Sequence, residues 1–183
     1  IWLDALATTG GSFNLNNNVN LNLLDLDSLT DIGGQLYLSS NNNLEALYAP
    51  SLLVIQGSFQ LNSNSGIELV DLPNLIEIEG QLQFDYNHSV QDLVLPALEE
   101  LSGQLYIYSN NSLETIDLGK LVESGSNMEI RQNNAIESVT LSSLQVVNGS
   151  FQMEALNQMS SFEMPALDEV NGSFSISNNS KLD

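Results

Sequence analysis

The sequence predicts an all-β protein built as a parallel β-solenoid, with 23 residues in each turn and about eight turns. Three observations support this fold class. A glycine-led segment recurs at a constant interval, apolar residues fill the same positions of every copy, and apolar and polar residues alternate within each copy. No stretch of the chain shows the period of an amphipathic helix.

The repeat is marked by a glycine that precedes a polar residue, an apolar residue, any residue and a second apolar residue. With this glycine as position 1, the units begin at residues 11, 34, 57, 80, 103, 126, 149 and 172, and residues 1–10 form a partial unit. Only the unit at 126 departs from the pattern, because its glycine comes one residue early, at Gly125. The constant interval predicts a single solenoid domain over residues 1–183.

Apolar residues occupy fixed positions of the unit, which supports this register. Position 19 is leucine in every complete unit, from Leu29 to Leu167, and position 22 is aliphatic except at Ser124. Position 3 is also apolar throughout, as Phe13, Leu36, Phe59, Leu82, Leu105, Met128, Phe151 and Phe174. These columns predict the core of the coil.

Short strands are predicted where apolar and polar residues alternate, because successive side chains of a strand point to opposite faces. Positions 3 and 5 alternate with polar positions 2, 4 and 6, and positions 14 and 16 alternate in the same way. Proline follows at position 17 in four units, as Pro50, Pro73, Pro96 and Pro165, and ends the strand. Each unit is therefore one turn with two or three strands, paired in parallel at about 4.8 Å with its neighbours.

One polar column stands at position 8, where the chain is expected to turn a corner. An asparagine pointing inward at a corner can bond the backbone of its own turn and of the next turn. We therefore predict a structural asparagine ladder, interrupted only by Leu156, and consisting of Asn18, Asn41, Asn64, Asn87, Asn110, Asn133 and Asn179.

The repeat resembles the leucine-rich repeats of receptor L-domain-like surface proteins. It is similar to those of fungal glycolipid-anchored cell-wall proteins of the sporulation-specific family and of bacterial secreted repeat proteins. The stretches LPNLIEIEGQLQF and LDEVNGSFSISNNSKLD carry the resemblance best. The resemblance implies a right-handed parallel β-solenoid, a cell-surface location and a role in wall structure or adhesion.

The composition excludes several classes of partner and chemistry. With 23 acidic and 3 basic residues the net charge is −20, which disfavours binding to nucleic acid or anionic lipid. The absence of cysteine excludes disulfides and thiolate chemistry. No apolar run has membrane-spanning length. We expect an extracellular protein, secreted or held at the cell surface, that needs no cofactor.

Catalysis finds little support in the sequence, and we do not expect an enzyme. The single histidine, His88, is expected to be solvated at a corner. Arg131 is the one basic residue placed on a predicted strand, and there it is expected to form a surface ion pair with Glu154.

A binding face is suggested by the outward side of the strand at positions 2–6. Tyrosine rings and amides suit carbohydrate, with the ring against a sugar face and the amides on hydroxyl groups. The alternative is that these residues simply sit well on an exposed sheet. The residues concerned are Tyr37, Gln60, Gln83, Tyr106, Tyr108, Arg131 and Gln152.

Two further sets of surface residues are predicted. Glycosylation, in a eukaryotic host, is expected at the exposed sequons of Asn148, Asn171 and Asn178 and not at the ladder residues Asn87 and Asn110. At position 21 the carboxylates of Glu77, Glu100 and Glu123 are expected to stack on successive turns and to hold cations loosely, without a dedicated metal site.

Two functions from different classes fit these observations. The first is a structural or adhesive repeat protein of a cell surface or wall, which could stack end to end with itself into filaments because open solenoid ends expose strand edges. The second is a carbohydrate-binding module that uses the tyrosine and glutamine face. The predicted partners are accordingly other copies of the chain, surface or wall components, and glycans.

Overall fold

The computed structural model describes all residues from Ile1 to Asp183, and it contains strands and turns but no helix. No segment is therefore a helix of the length and apolar character needed to cross a membrane. The chain winds as a parallel β-solenoid, which confirms the predicted fold class. The turns have three sides, two of which carry eight strands each and the third six.

The first side is an eight-stranded sheet, called sheet 1, formed by positions 3–6 of the units. Its strands are β2 (Phe13–Asn16), β5 (Leu36–Ser39), β8 (Phe59–Asn62), β11 (Leu82–Asp85), β14 (Leu105–Tyr108), β17 (Met128–Arg131), β20 (Phe151–Glu154) and β22 (Phe174–Ser177). Its inward and outward side chains alternate between buried and half-buried, as the sequence pattern predicts.

The second side, sheet 2, is also eight-stranded and is formed by positions 21 and 22. Its strands are β1 (Thr8–Thr9), β4 (Asp31–Ile32), β7 (Val54–Ile55), β10 (Glu77–Ile78), β13 (Glu100–Leu101), β16 (Glu123–Ser124), β19 (Val146–Val147) and β21 (Glu169–Val170).

The third side is formed by positions 13–15 and is divided into two three-stranded sheets. The first contains β3 (Leu23–Asp25), β6 (Ala46–Tyr48) and β9 (Leu69–Asp71). The second contains β12 (Asp92–Val94), β15 (Thr115–Asp117) and β18 (Ser138–Thr140). The ladder is interrupted between β9 and β12, although the two long sheets continue past this point.

The register of every sheet is 23 residues. Phe59 of β8 pairs with Leu36 of β5 on one side and with Leu82 of β11 on the other. The same shift relates Ile55 to Ile78 in sheet 2 and Leu47 to Val70 on the third side. Eight strands in each long sheet correspond to seven such steps along the coil axis.

The core lies inside the coil and is continuous from turn to turn. All 43 buried apolar residues belong to a single cluster, so the turns are not separate folding units with separate cores. Phe59, Phe84 and Phe151 are its largest fully buried side chains. Ser124, the polar residue in the position 22 column, is buried and donates its hydroxyl to the carbonyl oxygen of Ser126 over 3.2 Å.

The glycine column is explained by close approach of the backbone in adjacent turns. A Cβ atom on Gly57 would lie 2.7 Å from the carbonyl carbon of Gly34, the corresponding residue one turn earlier. Where Ser126 replaces the glycine, Gly125 makes the close approach instead, because a Cβ atom there would lie 2.6 Å from the carbonyl carbon of Ser102. The glycine is therefore required by space and not by a positive φ.

The positive φ angles occur instead at position 7, where no glycine is found. In every unit this residue adopts the left-handed conformation, with φ between 54° and 59°. The residues are Asn17, Ser40, Ser63, Tyr86, Ser109, Gln132, Ala155 and Asn178. This residue turns the chain from sheet 1 into the asparagine corner.

Candidate functional site

The outward face of sheet 1 holds the residues predicted to bind ligand, but it gathers only some of them. Tyr106 and Tyr108 lie on β14, and Arg131 lies on the adjoining strand β17, opposite Tyr108. The other predicted residues are spread along the face, at Tyr37 on β5, Gln60 on β8, Gln83 on β11 and Gln152 on β20. The face therefore has one aromatic centre and a longer row of amides.

The aromatic centre, which we call the tyrosine cluster, consists of Tyr86, Tyr106 and Tyr108. The rings of Tyr106 and Tyr108 are nearly parallel, at 14°, with centroids 5.8 Å apart. Tyr86 meets Tyr108 edge to face at 5.6 Å, and His88 meets Tyr86 at 6.2 Å. Both edge-to-face and offset parallel arrangements are favourable for aromatic pairs.

Arg131 closes one side of the cluster, and its predicted ion pair is wrong. Its guanidinium contacts the carboxylate of Glu129, two residues earlier on the same strand, at 2.9 Å, and not Glu154 on the next turn. Its central carbon also lies 5.8 Å from the centre of the Tyr106 ring, within the range of a cation–π contact. This geometry follows from the strand, because residues two apart point to the same face.

His88 also differs from the prediction that it would be a solvated corner residue. It is half-buried against Tyr86, and its Nδ1 atom is shielded from solvent without a hydrogen-bond partner. The prediction failed because the corner is covered by the ring of Tyr86 only in this unit.

The amides beside the cluster form a connected network across β8 and β11. The side chain of Gln60 donates to the side-chain oxygen of Gln83 at 3.2 Å, and Gln81 donates to the same oxygen at 2.6 Å. Gln83 in turn donates to a carboxylate oxygen of Asp85 at 2.9 Å. With its amide oriented to donate, Asn62 also reaches Asp85, at 2.8 Å.

Asp85 is the one acidic side chain of this face that is nearly removed from solvent. It is 8% exposed, and its strand neighbour on β14 is Tyr108 of the cluster. Burial raises the pKa of Asp85, and the hydrogen bond from Gln83 partly opposes that rise. The face thus holds a desolvated carboxyl group beside the half-buried rings of Tyr106 and Tyr108 and the exposed ring of Tyr86.

The structure places the asparagines of position 8 inside the coil. Asn41, Asn64, Asn87, Asn110 and Asn133 are fully buried. The backbone N–H of Asn41 donates to the side-chain oxygen of Asn64 at 2.9 Å, and the side-chain amide of Asn64 donates to the carbonyl oxygen of Leu38 at 3.0 Å. Asn18 and Asn179, at the two ends of the column, are more exposed.

Leu156 interrupts this ladder with a local consequence. The backbone N–H of Leu156 still donates to the side-chain oxygen of Asn179, at 2.8 Å. Leucine offers no oxygen in return, so the backbone N–H of Asn133 lacks the acceptor that its counterparts in earlier turns have.

The asparagines of the predicted sequons fall into an exposed group and a buried group. Asn148, Asn171 and Asn178 are exposed, whereas Asn87 and Asn110 are fully buried. Their modification stays a prediction.

Glu77, Glu100 and Glu123 pair directly in sheet 2, on successive strands. No group of three or more histidine, aspartate or glutamate side chains is arranged to hold a metal ion. Loose cation binding by this column stays a prediction.

Comparisons of the chain with family models, with curated proteins and with solved structures found no match. The resemblance to receptor L-domain-like surface repeats therefore stays a prediction from the sequence.

Proposed function

We propose that the chain is a structural and adhesive repeat module of a cell surface or cell wall that works outside the cell. The observation that carries this proposal is the asparagine corner, whose bonds recur from turn to turn. Each corner is tied to its neighbours, which makes the coil rigid along its axis. A rigid rod can hold an adhesive face in a fixed orientation, so little ordering cost is incurred on binding.

The composition supports the extracellular part of the proposal. The chain has a net charge of −20. Three asparagine sequons lie on its surface, at Asn148, Asn171 and Asn178. High negative charge keeps a protein soluble and repels nucleic acid and anionic membranes, and it is compatible with a hydrated wall.

Co-sedimentation with isolated cell walls tests this proposal. Labelled chain is mixed with washed fungal and bacterial wall fragments, and the bound fraction is measured over a range of protein concentrations. We expect saturable retention on at least one type of wall. Retention on none of them, by a chain shown to be folded by circular dichroism, would contradict an adhesive role.

A second candidate function, carbohydrate binding, is favoured by one specific observation. In the tyrosine cluster the ring of Tyr108 contacts both of the other rings beside a row of amides, and Tyr86 is 42% exposed. Exposed rings can receive the apolar face of a sugar while neighbouring amides bond its hydroxyl groups.

A double variant separates the two candidates. Tyr106→Ala with Tyr108→Ala removes most of the cluster, and Tyr37→Ala removes a tyrosine from the same face, on β5, with β8 and β11 between it and β14. If the cluster binds glycan, the double variant loses binding to neutral oligosaccharides on an array and Tyr37→Ala retains it. If adhesion uses another surface, both variants bind walls like the original chain.

A further inference from the structure

A second surface, distinct from the tyrosine cluster, lies at position 20, immediately before the strands of sheet 2, and aliphatic side chains stand exposed there among carboxylates. The residues at position 20 pair through their backbones. The N–H groups of Ile76 and Glu99 donate to the carbonyl oxygens of Leu53 and Ile76, both at 2.9 Å. The N–H group of Val122 donates to the carbonyl oxygen of Glu99 at 3.2 Å. These residues therefore occupy successive rungs of the coil. We call Leu53, Ile76 and Val122 the aliphatic strip.

The side chains of the strip are exposed to solvent. Leu53 is 38% exposed, Ile76 is 41% exposed and Val122 is 39% exposed. Exposed apolar residues scattered singly need no explanation, but Leu53 and Ile76 stand on neighbouring rungs, and Val122 follows one rung beyond Glu99. The fold does not need aliphatic residues there, because Glu99, the rung between Ile76 and Val122, is charged and keeps the same backbone pairing.

A depression lies beside Val122, at one end of the strip, between the fourth and fifth units. Val122 lines it together with Glu99, Glu100 and Glu123, and Leu101 and Ser102 also contribute to its walls. The depression coincides with the one place where the repeat pattern departs, since Gly125 leaves out a side chain that most other turns have at position 23. The surface there is concave, partly apolar and rimmed by acid.

The charge of this surface determines what can cover it. Glu99, Glu100 and Glu123 line the depression, and no basic residue does. The neighbouring cation is Lys120, whose nitrogen lies 3.9 Å from the carboxylate of Glu99. A second copy of the chain, with a net charge of −20, would bring further carboxylates against this acidic surface and would be repelled from it. A ligand with positive charge alone would leave the aliphatic side chains uncovered.

We propose that the aliphatic strip and the carboxylates around it form a docking surface for a basic amphipathic segment of another protein. Aliphatic side chains of the partner would cover Leu53, Ile76 and Val122, and its lysine or arginine side chains would pair with Glu99, Glu100 and Glu123. The rungs are about 4.8 Å apart, so Ile76 and Val122 lie about 9.6 Å apart along the axis. That spacing is close to two turns of an α-helix, about 10.8 Å.

Titration with three synthetic peptides tests the proposal. The first is an 18-residue peptide of lysine and leucine with leucine at helical spacing, the second is a scrambled peptide of the same composition, and the third contains lysine only. Affinities are measured by fluorescence anisotropy at low and at high salt. We expect the patterned peptide to bind most tightly, and its advantage to persist at high salt because apolar contacts are not screened.

Substitution on the strip provides the decisive comparison. Ile76→Ser should weaken binding of the patterned peptide by about tenfold, since a buried aliphatic contact is lost. Leu69→Ser, which removes a similarly exposed aliphatic residue from β9 on another side of the coil, should leave the affinity unchanged. Thermal melts of both variants establish that they remain folded.

Three results would overturn the proposal. Equal binding of all three peptides would mean attraction to the net charge alone. Equal affinities of Ile76→Ser and the original chain would place the contact elsewhere. Association of the original chain with itself that is lost in Ile76→Ser would assign the strip to a second copy.

Discussion

At the residue scale, position 7 is the site of the repeat whose backbone conformation is least favourable for most residue types. Its backbone is left-handed in all eight units, yet only Asn17 and Asn178 are of the type that tolerates this conformation well. For other residues the left-handed conformation costs about 1–2 kcal/mol. Asn178 also donates its side-chain amide to Glu154 at 3.1 Å, so it offsets part of this cost.

Replacing Ala155 with glycine should therefore stabilise the protein. Ala155 has φ of 56° and makes no side-chain hydrogen bond, so glycine relieves the strain without losing a contact. We expect a gain of about 0.5–1 kcal/mol after the greater entropy of unfolded glycine is included. Ala135→Gly, at a half-buried turn residue with negative φ, should instead lower stability. Urea denaturation of both variants measures the difference, and a loss of stability in Ala155→Gly would contradict the strain argument.

Loss of a ladder asparagine should destabilise the coil. In Asn64→Ala the backbone N–H of Asn41 loses its acceptor, and the carbonyl oxygen of Leu38 loses a donor, both inside the coil. Each buried group left unpaired costs about 1–3 kcal/mol. We expect a loss of at least about 2 kcal/mol in denaturant titration.

Asn18→Ala provides the matched control for this prediction, because Asn18 is the exposed first member of the same column. Water can satisfy the groups that it leaves, so we expect a change within about 0.5 kcal/mol. Similar losses for both variants would argue that burial of the ladder contributes nothing.

At the element scale, strand β11 places a desolvated carboxyl group on an otherwise polar face. The pKa of Asp85 is raised above its ordinary value of 3.8 in the folded chain, chiefly by burial. The folded state therefore binds this proton more readily than the unfolded state. Between 3.8 and the raised pKa, stability contributed by Asp85 increases as the pH falls, and it is lost as the pH rises through the folded pKa.

Asp85→Asn should remove this contribution and stabilise the protein at neutral pH. Asp92→Asn removes the same charge from an exposed position on β12 and controls for the general repulsion among carboxylates. Stability is measured by denaturant titration at several pH values from 3.5 to 7. Identical pH profiles for the two variants would mean that net charge, and not the burial of Asp85, governs the dependence.

The strands and their register could be predicted from the sequence because the same pattern of apolar and polar residues recurs in every unit. Period-2 alternation at positions 3–6 and the constant spacing are enough to define sheet 1. The division of the third side between β9 and β12 has no such signal. The tyrosine cluster has no sequence signal either, because Tyr86 stands at a corner, outside the alternating pattern of the strand. Its backbone is left-handed, and its ring contacts that of Tyr108. The ion pair of Arg131 differs from the prediction because Glu154 occupies the same position one turn away, whereas Glu129, which Arg131 contacts, lies two residues earlier on the same strand.

At the scale of the whole molecule, the two long sheets run through the coil, and the first and last strands of residues 1–183 each have one unpaired edge. In sheet 1 the strands β2 and β22 each pair on one side only. Phe174 of β22 is 52% exposed and stacks on Phe151 at 5.1 Å, so it continues the apolar column to the surface. At the other end Phe13 and Leu15 of β2 are half-buried. Exposed strand edges with apolar columns favour the addition of another strand.

We therefore expect a polypeptide of residues 1–183 to associate end to end as its concentration rises. Because each copy carries a net charge of −20, association should strengthen with added salt, which screens the repulsion. Phe174→Glu should weaken it by placing a charge in the apolar column, whereas Leu69→Glu adds the same charge to the side of the coil and should not. Sedimentation equilibrium measures the mass, and fibre diffraction of any filaments should show the strand spacing of about 4.8 Å along the axis. A monomer at every concentration in high salt would contradict end-to-end stacking, and equal effects of the two variants would place the contact on the sides.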